Sequence, residues 1–210
     1  MIRALVADDH AIVRHGIRDV LRESRDIVVK GEAKNAAEVL DKVRRERWDV
    51  VVLDLNLPDR SGLDLLGDLR RERPSLPVLI LTVYSEDQFA IRAFRAGASG
   101  YLTKESAPEE LVEAVRKVVR GGRYVSPALA ERLALLLEGA VERPVHEFLS
   151  AREFEILRLL GSGKTVSQAA AGLHLSVKTV STYRARLLEK MNLRTNAELT
   201  LYAVRNGLVD

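Results

Sequence analysis

Asp8 and Asp9 end the apolar run Ile2 to Ala7, Asp54 ends Val50 to Leu53, and Lys104 follows Gly100, Tyr101 and Leu102. Each charged side chain stands where a short β-rich stretch stops. In a parallel α/β sheet, groups at the carboxyl ends of strands converge on one crevice although they are distant in sequence. Converging carboxylates repel. Two of them about 4 Å apart cost on the order of 4 kcal/mol at an effective dielectric near 20, so three raise their pKa values or bind a counter-ion. An all-oxygen donor set with room for water suits magnesium, which commonly bridges one or two carboxylates to a phosphate. Asp54 is then the best nucleophile for an aspartyl-phosphate, and Lys104 with the metal would offset charge spreading over the equatorial oxygens during transfer. Thr82, ending Val78 to Leu81, offers a hydroxyl to a new phosphoryl oxygen, and Tyr101 on the neighbouring strand could turn into space that Thr82 vacates.

Each of these residues also has a purely structural reading. Asp8 and Asp9 could cap the following helix, and Asp54 could bind backbone amides. Thr82 and Tyr101 could be strand and core residues, and Lys104 could pair with Glu105 or Glu109. The occurrence of all of them together favours the phosphoryl-acceptor pocket.

The elements that must position these groups are legible as alternation. Five candidate strands, Ile2 to Ala7, Ile27 to Lys30, Asp49 to Leu53, Pro77 to Val83 and Ala98 to Leu102, are in several cases continuously apolar, as strands buried on both faces must be. Amphipathic helices fall between them. The first carries Ile12, Val13, Ile17, Val20 and Leu21 at helical spacing, and others cover about 36–47, 62–72, 86–96 and 108–120. Right-handed crossovers then predict a flavodoxin-like, doubly wound, five-stranded parallel sheet with its crevice beside the first and third strands. Gly121 and Gly122 close the fifth helix. A short Leu/Ala-rich helix, Pro127 to Glu138, precedes Gly139 and Pro144 in a linker, giving boundaries of 1–120, 121–145 and 146–210.

Beyond the linker come only helices: Ala151 to Leu160, Val166 to Leu173, Val177 to Met191 and Ala197 to Val204. They form a four-helix, all-α unit with the layout of a helix-turn-helix. Ala169, Ala170 and Ala171 allow close helix approach, His174 and Leu175 make the turn, and Ser176 can cap the next helix. In that helix Val180, Tyr183, Leu187, Leu188 and Met191 form one stripe, leaving Lys178, Ser181, Thr182, Ala185 and Arg186 on the opposite side. The hydroxyls of Thr179, Ser181 and Thr182 suit base edges or phosphates, and Lys178, Arg184 and Arg186 suit phosphate oxygens; a solvated bundle face is the alternative. In the last helix Ala197, Leu201, Val204 and Leu208 form an apolar face for the unit's own core or for a dimer contact.

Composition agrees with two domains. The 210 residues contain no cysteine, which excludes disulfides, thiolate metal sites and cysteine nucleophiles and suits a reducing compartment. No stretch approaches the roughly 18 uninterrupted apolar residues of a membrane span, so a soluble, cytoplasmic protein without membrane partners is expected. Charge is uneven: residues 1–147 hold 24 Lys+Arg against 25 Asp+Glu, and residues 148–210 hold 9 against 5. The basic excess therefore lies on the helical segment, compatible with nucleic acid.

The stretches ALVADDH, VVLDLNLPDRSGLDLL, VLILTVY and GASGYLTKES make residues 1–120 resemble the receiver domain of bacterial two-component response regulators. By that resemblance Asp54 is the phospho-acceptor, and Asp9, Asp54 and the Asn56 backbone carbonyl bind Mg2+ with help from Asp8. Thr82, Tyr101 and Lys104 are the switch residues, and Pro58 and Gly62 shape the loop after Asp54. Glu105 departs from the proline common after the lysine. The motifs LSAREFEIL, GKTVSQAAAGLHLSVKTVSTY and LLEKMNLRTNAELTLYA resemble the LuxR-type helix-turn-helix, so the whole chain resembles the NarL/FixJ family. Ser181, Tyr183 and Ala185 depart from residues frequent in its recognition helix, so no target sequence carries over. The resemblance implies a sensor histidine kinase, double-stranded promoter DNA and a homodimer as partners, with RNA polymerase a further candidate.

Two rivals remain. A magnesium-dependent phosphohydrolase would need an acid/base carboxylate two residues after its nucleophile, and that position is Asn56. An interaction protein would use the helical segment on protein instead of DNA. The expected role is regulatory and not enzymatic.

Overall fold

The computed structural model describes the chain except residues 85, 107, 128, 132, 133, 135–143 and 210. The chain divides into two compact units, Met1–Ala140 and Val141–Asp210. In the first, β1 (Ile2–Ala7), β2 (Ile27–Ala33), β3 (Val50–Leu53), β4 (Val78–Thr82) and β5 (Gly100–Thr103) alternate with α1 (Ala11–Glu23), α2 (Ala36–Arg45), α3 (Gly62–Glu72), α4 (Glu86–Ala96) and α5 (Pro108–Val119). All strands are parallel in the order β2-β1-β3-β4-β5. The expected topology is present. β2 runs three residues past its expected end and β5 starts two later, because its first residue, Gly100, is where pairing with Leu79 begins.

Burial explains the apolar runs. Every residue of β3 and β4 is buried, since side chains alternate between two covered faces. Ala4, Val6, Val50, Val52, Leu79, Leu81 and Leu102 pack with Ile17 and Leu21 of α1 and Leu111, Ala114, Val115 and Val118 of α5. Leu5, Val51, Leu53 and Ile80 have the opposite parity and are also buried, on the side of α2, α3 and α4. Within α1 the expected stripe narrows: Ile17 and Leu21 are buried, whereas Ile12 is 83% exposed.

Register places the strand ends. Ala7 pairs with Leu53, so Asp8 and Asp54 leave neighbouring strands side by side. Thr82 pairs with Thr103, which sets Lys104 next to the end of β4. After β3 the chain turns back tightly: Gly62 N donates to Leu55 O at 2.9 Å, and Asn56 bridges Ser61. A Cβ on Gly62 would stand 2.6 Å from both Asp54 O and Leu55 Cα, so only glycine lets this loop close.

The second unit has a 3-10 turn, Val145–Phe148, and helices α6 (Ala151–Gly161), α7 (Val166–Gly172), α8 (Val177–Lys190) and α9 (Asn196–Arg205). Ser150, Thr165, Ser176 and Thr195 each accept a backbone N–H at a helix start, and three of these caps are reciprocal boxes with Glu153, Gln168 and Glu198. Glu153 is buried. Burial alone would raise its pKa, but hydrogen bonds from Lys190 and Ser150 outweigh this and hold the carboxyl below the usual range.

The core of this unit joins Phe154, Leu157, Val180, Leu187, Leu199 and Ala203, among others. A Cβ on Gly161 would meet the Ala203 methyl at 2.7 Å, so α6 and α9 approach closely there. Three expectations change. Ala169 and Ala170 are buried but Ala171 is exposed, and Tyr183 is half-buried. In α9 the buried face is Leu199 and Ala203, which meet α6, followed by Leu208; Leu201 and Val204 are about half exposed and Ala197 is exposed. Of the helix expected over 127–138, residues 127, 129–131 and 134 are helical, and the rest lies outside the described residues.

Replacing Gly62 by alanine is expected to lower unfolding stability by about 1–3 kcal/mol, since the added methyl meets backbone on both sides. The midpoint of urea unfolding measures this, and an unchanged midpoint would mean that the loop can open without cost.

Candidate functional site

The strand ends of the first unit assemble a charged pocket. Lys104 Nζ lies 2.6 Å from Asp8 Oδ2 and 2.6 Å from Asp54 Oδ2, so one ammonium is shared by two carboxylates. Both acids are buried, with side chains 1% and 2% exposed, while Asp9 is 29% exposed at the rim. Lys104 thus faces the acidic pocket, and the structural alternative, a pairing with Glu105 or Glu109, is not the one observed. Asp8 Oδ1 accepts from the His10 backbone at 2.8 Å, and Asp54 Oδ1 accepts from the Asn56 backbone at 3.2 Å.

Burial is the largest influence on Asp54 and pushes its pKa up. The Lys104 ammonium and the Thr82 hydroxyl work against it, the Asp8 carboxylate adds to it, and the net shift is upward. Burial alone would lower the Lys104 pKa, but Asp54 and Asp8 outweigh it and hold the lysine firmly charged. Three carboxylates against one ammonium leave an excess of negative charge, and the Asp9 Oδ1 atom is shielded from solvent without a hydrogen bond. An all-oxygen, negatively charged pocket of this kind fits a hard divalent cation.

Thr82 is fully buried. Its hydroxyl lies close enough to Asp54 to favour the charged form, yet it makes no hydrogen bond of good geometry, so an acceptor arriving on Asp54 would find a donor waiting. Tyr101 is also fully buried, and its hydroxyl donates to Tyr84 O at 2.9 Å. Tyr84 stacks on Phe89 with ring centroids 4.3 Å apart. The ring of Tyr101 therefore already occupies an inward position. Asn56 is exposed between the buried Leu55 and Leu57, so its loop presents one residue to solvent and anchors both neighbours.

In the second unit, Lys178, Ser181, Thr182, Ala185 and Arg186 lie on one exposed face of α8, as their spacing predicts. The Thr182 hydroxyl donates back to Lys178 O at 3.0 Å, and Thr179 Oγ1 lies 2.7 Å from Ser176 Oγ in the cap. Arg184 differs: it is half-buried, and its Nε donates to Asn196 Oδ1 at 2.6 Å, joining α8 to the start of α9. The helix-turn-helix bend at His174 uses a left-handed backbone, φ 52°.

Residues 4–116 match the response regulator receiver domain, and residues 147–203 match the bacterial regulatory proteins of the luxR family. The chain belongs to the response regulators of the NarL/FixJ family. It is 41% identical to the response regulator GacA of Pseudomonas viridiflava over 211 residues, covering 100% of this chain and 99% of GacA. With the response regulator UvrY of Escherichia coli K12 the identity is 36%, over 99% of this chain and 96% of UvrY. Among solved structures, RcsB of Salmonella enterica serovar Typhimurium, bound to promoter rprA in the presence of the phosphomimetic BeF3-, superposes with a TM-score of 0.67. That match has 25% identity and covers 96% of this chain and 97% of RcsB. This response regulator thus joins a receiver to a LuxR-type reader, the architecture of transcription regulation through DNA. Among the described residues no helix is long and apolar enough to cross a membrane.

Sequence reasoning passed over one residue of this receiver. Both oxygens of Asp59 accept backbone N–H bonds at the start of α2, from Ala36 at 2.8 Å and Ala37 at 3.0 Å. Asn35 caps the next N–H, that of Glu38. The loop that carries Asn56 is thereby tied to a helix N-terminus more than 20 residues earlier in the chain. Sequence shows only a polar turn residue between Pro58 and Ser61, since the partner amides have no side-chain signature. Asp59→Ala is expected to cost about 1–2 kcal/mol, the scale of a lost helix cap, and Asp59→Asn less. Denaturant unfolding of both variants checks the order; equal stability of Asp59→Ala and wild type would show that the tie is not needed.

Proposed function

We propose that this response regulator accepts a phosphoryl group on Asp54 from a sensor histidine kinase and then binds promoter DNA as a homodimer. The observation that carries the reading is the shared Lys104 bridge, which supplies a fixed cation at the point where phosphoryl charge would arrive. A carboxylate oxygen of Asp54 attacks phosphorus, the bond to the donor nitrogen breaks, and the acyl phosphate remains on Asp54 while the donor leaves. Lys104 stays within reach of the new oxygens, and the Thr82 hydroxyl can donate to one of them. Asp9, Asp54 and the Asn56 backbone carbonyl would hold Mg2+, with Asp8 assisting. Bound there, the cation would supply charge neutralisation for the incoming phosphoryl group.

Thr82 moving toward the phosphoryl group would vacate space beside Tyr101, whose hydrogen bond to Tyr84 O is then the element to rearrange. Driving a two-state equilibrium from 1:99 to 99:1 takes about 5.5 kcal/mol of differential interaction, within the range of several charge-assisted hydrogen bonds. The receiver is assigned to residues 1–120, the linker to 121–145 and the reader to 146–210. Lys178, Ser181, Thr182 and Arg186 are the proposed DNA face, with Thr179 and Arg184 at its margin. RNA polymerase is a further candidate partner, and the cytoplasm is where the donor and the DNA would meet.

Incubation with acetyl phosphate and Mg2+ is expected to add one phosphoryl group to wild type and none to Asp54→Asn. Intact mass reads both, and full labelling of the variant would move the acceptor elsewhere. Lys178→Ala and Arg186→Ala are each expected to weaken DNA binding across sequences and to reduce the salt slope by about 1. Gel shifts over a series of salt concentrations test this, and unchanged slopes would place the interface on another face.

A further inference from the structure

We propose that residues 123–126 form a latch that ties the linker to β5 and α4 and that phosphorylation of Asp54 opens. The proposal rests on the Asp54 reading above and names the element through which that event reaches the linker. Neither family match covers this stretch, since one ends at residue 116 and the other begins at residue 147.

Backbone contacts make the stretch part of the sheet. β5 is the last strand in the order, so its outer side would otherwise present unpaired amides and carbonyls. Tyr124 forms a parallel bridge to Gly100: its N–H donates to Ser99 O at 3.0 Å, and its carbonyl accepts from Tyr101 N–H at 3.2 Å. A Cβ on Gly100 would stand 3.0 Å from Tyr124 Cβ and 3.2 Å from Tyr124 O, so glycine there admits the close approach. Arg123 adds two holds. Its Nη1 donates to Ala98 O at 3.0 Å, and its guanidinium lies 6.0 Å from the centre of the Phe94 ring.

Ser126 closes the latch onto α4. Its hydroxyl donates to Glu86 Oε2, on the first residue of that helix, and accepts from Leu129 N–H at 3.2 Å as a cap on the helical residues that follow. Both holds lead back to the pocket. Glu86 follows Thr82 by four residues, and Tyr101 donates from its hydroxyl to Tyr84 O and from its backbone to Tyr124 O. Thr82 drawn toward a phosphoryl group would displace the chain leading to Glu86, and a turn of Tyr101 would disturb Tyr124. Hydrogen bonds weaken steeply with distance and angle, so a shift of about 1 Å at Glu86 is enough to break its contact with Ser126. The latch belongs to the conformation in which Tyr101 holds Tyr84. A contact made in only one of two conformations acts in both directions: a phosphoryl group opens the latch, and loss of the latch favours the phosphoryl-bound conformation.

Hydrogen–deuterium exchange of the full-length protein with Mg2+ and the phosphoryl mimic BeF3- tests this in wild type, Glu86→Ala, Glu86→Gln and Asp54→Asn. Protection of residues 54–61 as a function of BeF3- concentration gives its affinity. In wild type BeF3- is expected to protect this loop and to speed exchange at residues 122–131 severalfold. Glu86→Ala leaves the Ser126 cap in place, and it is expected to exchange rapidly at 122–131 without BeF3- and to bind BeF3- about fivefold more tightly. Glu86→Gln, whose amide oxygen still accepts from Ser126, is expected to behave as wild type. Three results would each overturn the inference and leave the Asp54 reading standing: loop protection in wild type with exchange at 122–131 unchanged, wild-type exchange and affinity in Glu86→Ala, or Glu86→Gln matching Glu86→Ala. No loop protection in wild type, or equal protection in Asp54→Asn, would overturn both.

Discussion

One ammonium held between two buried carboxylates sets the terms for the receiver. Asp8 and Asp54 end adjacent strands because Ala7 and Leu53 are in register, and neither carboxylate has water enough to stay charged alone. Leaving a buried charge without its partner costs several kcal/mol, so the opposite charge must arrive from elsewhere in the fold. It arrives from the end of β5, which requires β4 to lie between β3 and β5 and Thr82 to pair with Thr103. Sheet order, register and site chemistry are therefore one constraint. In the proposed phosphoryl transfer, the ammonium that neutralises the acids would stand where phosphoryl charge develops.

Around that bridge the backbone is closed by short, specific contacts that add to the burial of Leu55, Leu57 and Tyr101. Gly62 lets the loop after Asp54 fold onto its own strand, and Asp59 fastens the loop to the first turn of α2. On the opposite flank, Tyr101 and Tyr84 share a hydrogen bond and Tyr84 stacks on Phe89. One side is thus tied to a helix end, and the other carries a tyrosine hydrogen bond and a ring stack. The helical unit follows a different logic: four short helices, each started by a serine or threonine cap, are held by a small core and by the close approach of Gly161 to Ala203.

Much of this was readable because strand and helix periods differ and because charges at strand ends are conspicuous. The five strands, the ten elements of the receiver, the four helices of the reader and the exposed face of α8 follow from patterns of two and of three to four residues. Helix faces were less legible. Ile12, Leu201 and Val204 are apolar at helical spacing yet exposed, while the narrower stripes Ile17/Leu21 and Leu199/Ala203 are buried. Periodicity reports that a helix has an apolar side but not which part of it meets a neighbour. Arg184 shows the same limit, since its tie to Asn196 depends on the placement of α9.

The sequence by itself determined the class of fold, the residue types of the pocket and the existence of a capped helical reader, because these depend on local pattern and on chemistry carried by single side chains. Tertiary structure alone decided which partner each charge takes. Lys104 has acidic neighbours close by in sequence, Glu105 and Glu109, and bonds instead to Asp8 and Asp54, brought to it by three intervening strand pairings. It alone also decided that Asp59 holds a helix end. The physical reason is common to both. Hydrogen bonds and ion pairs act over a few ångströms, and only the closed sheet with its loops sets separations on that scale between residues distant in the chain.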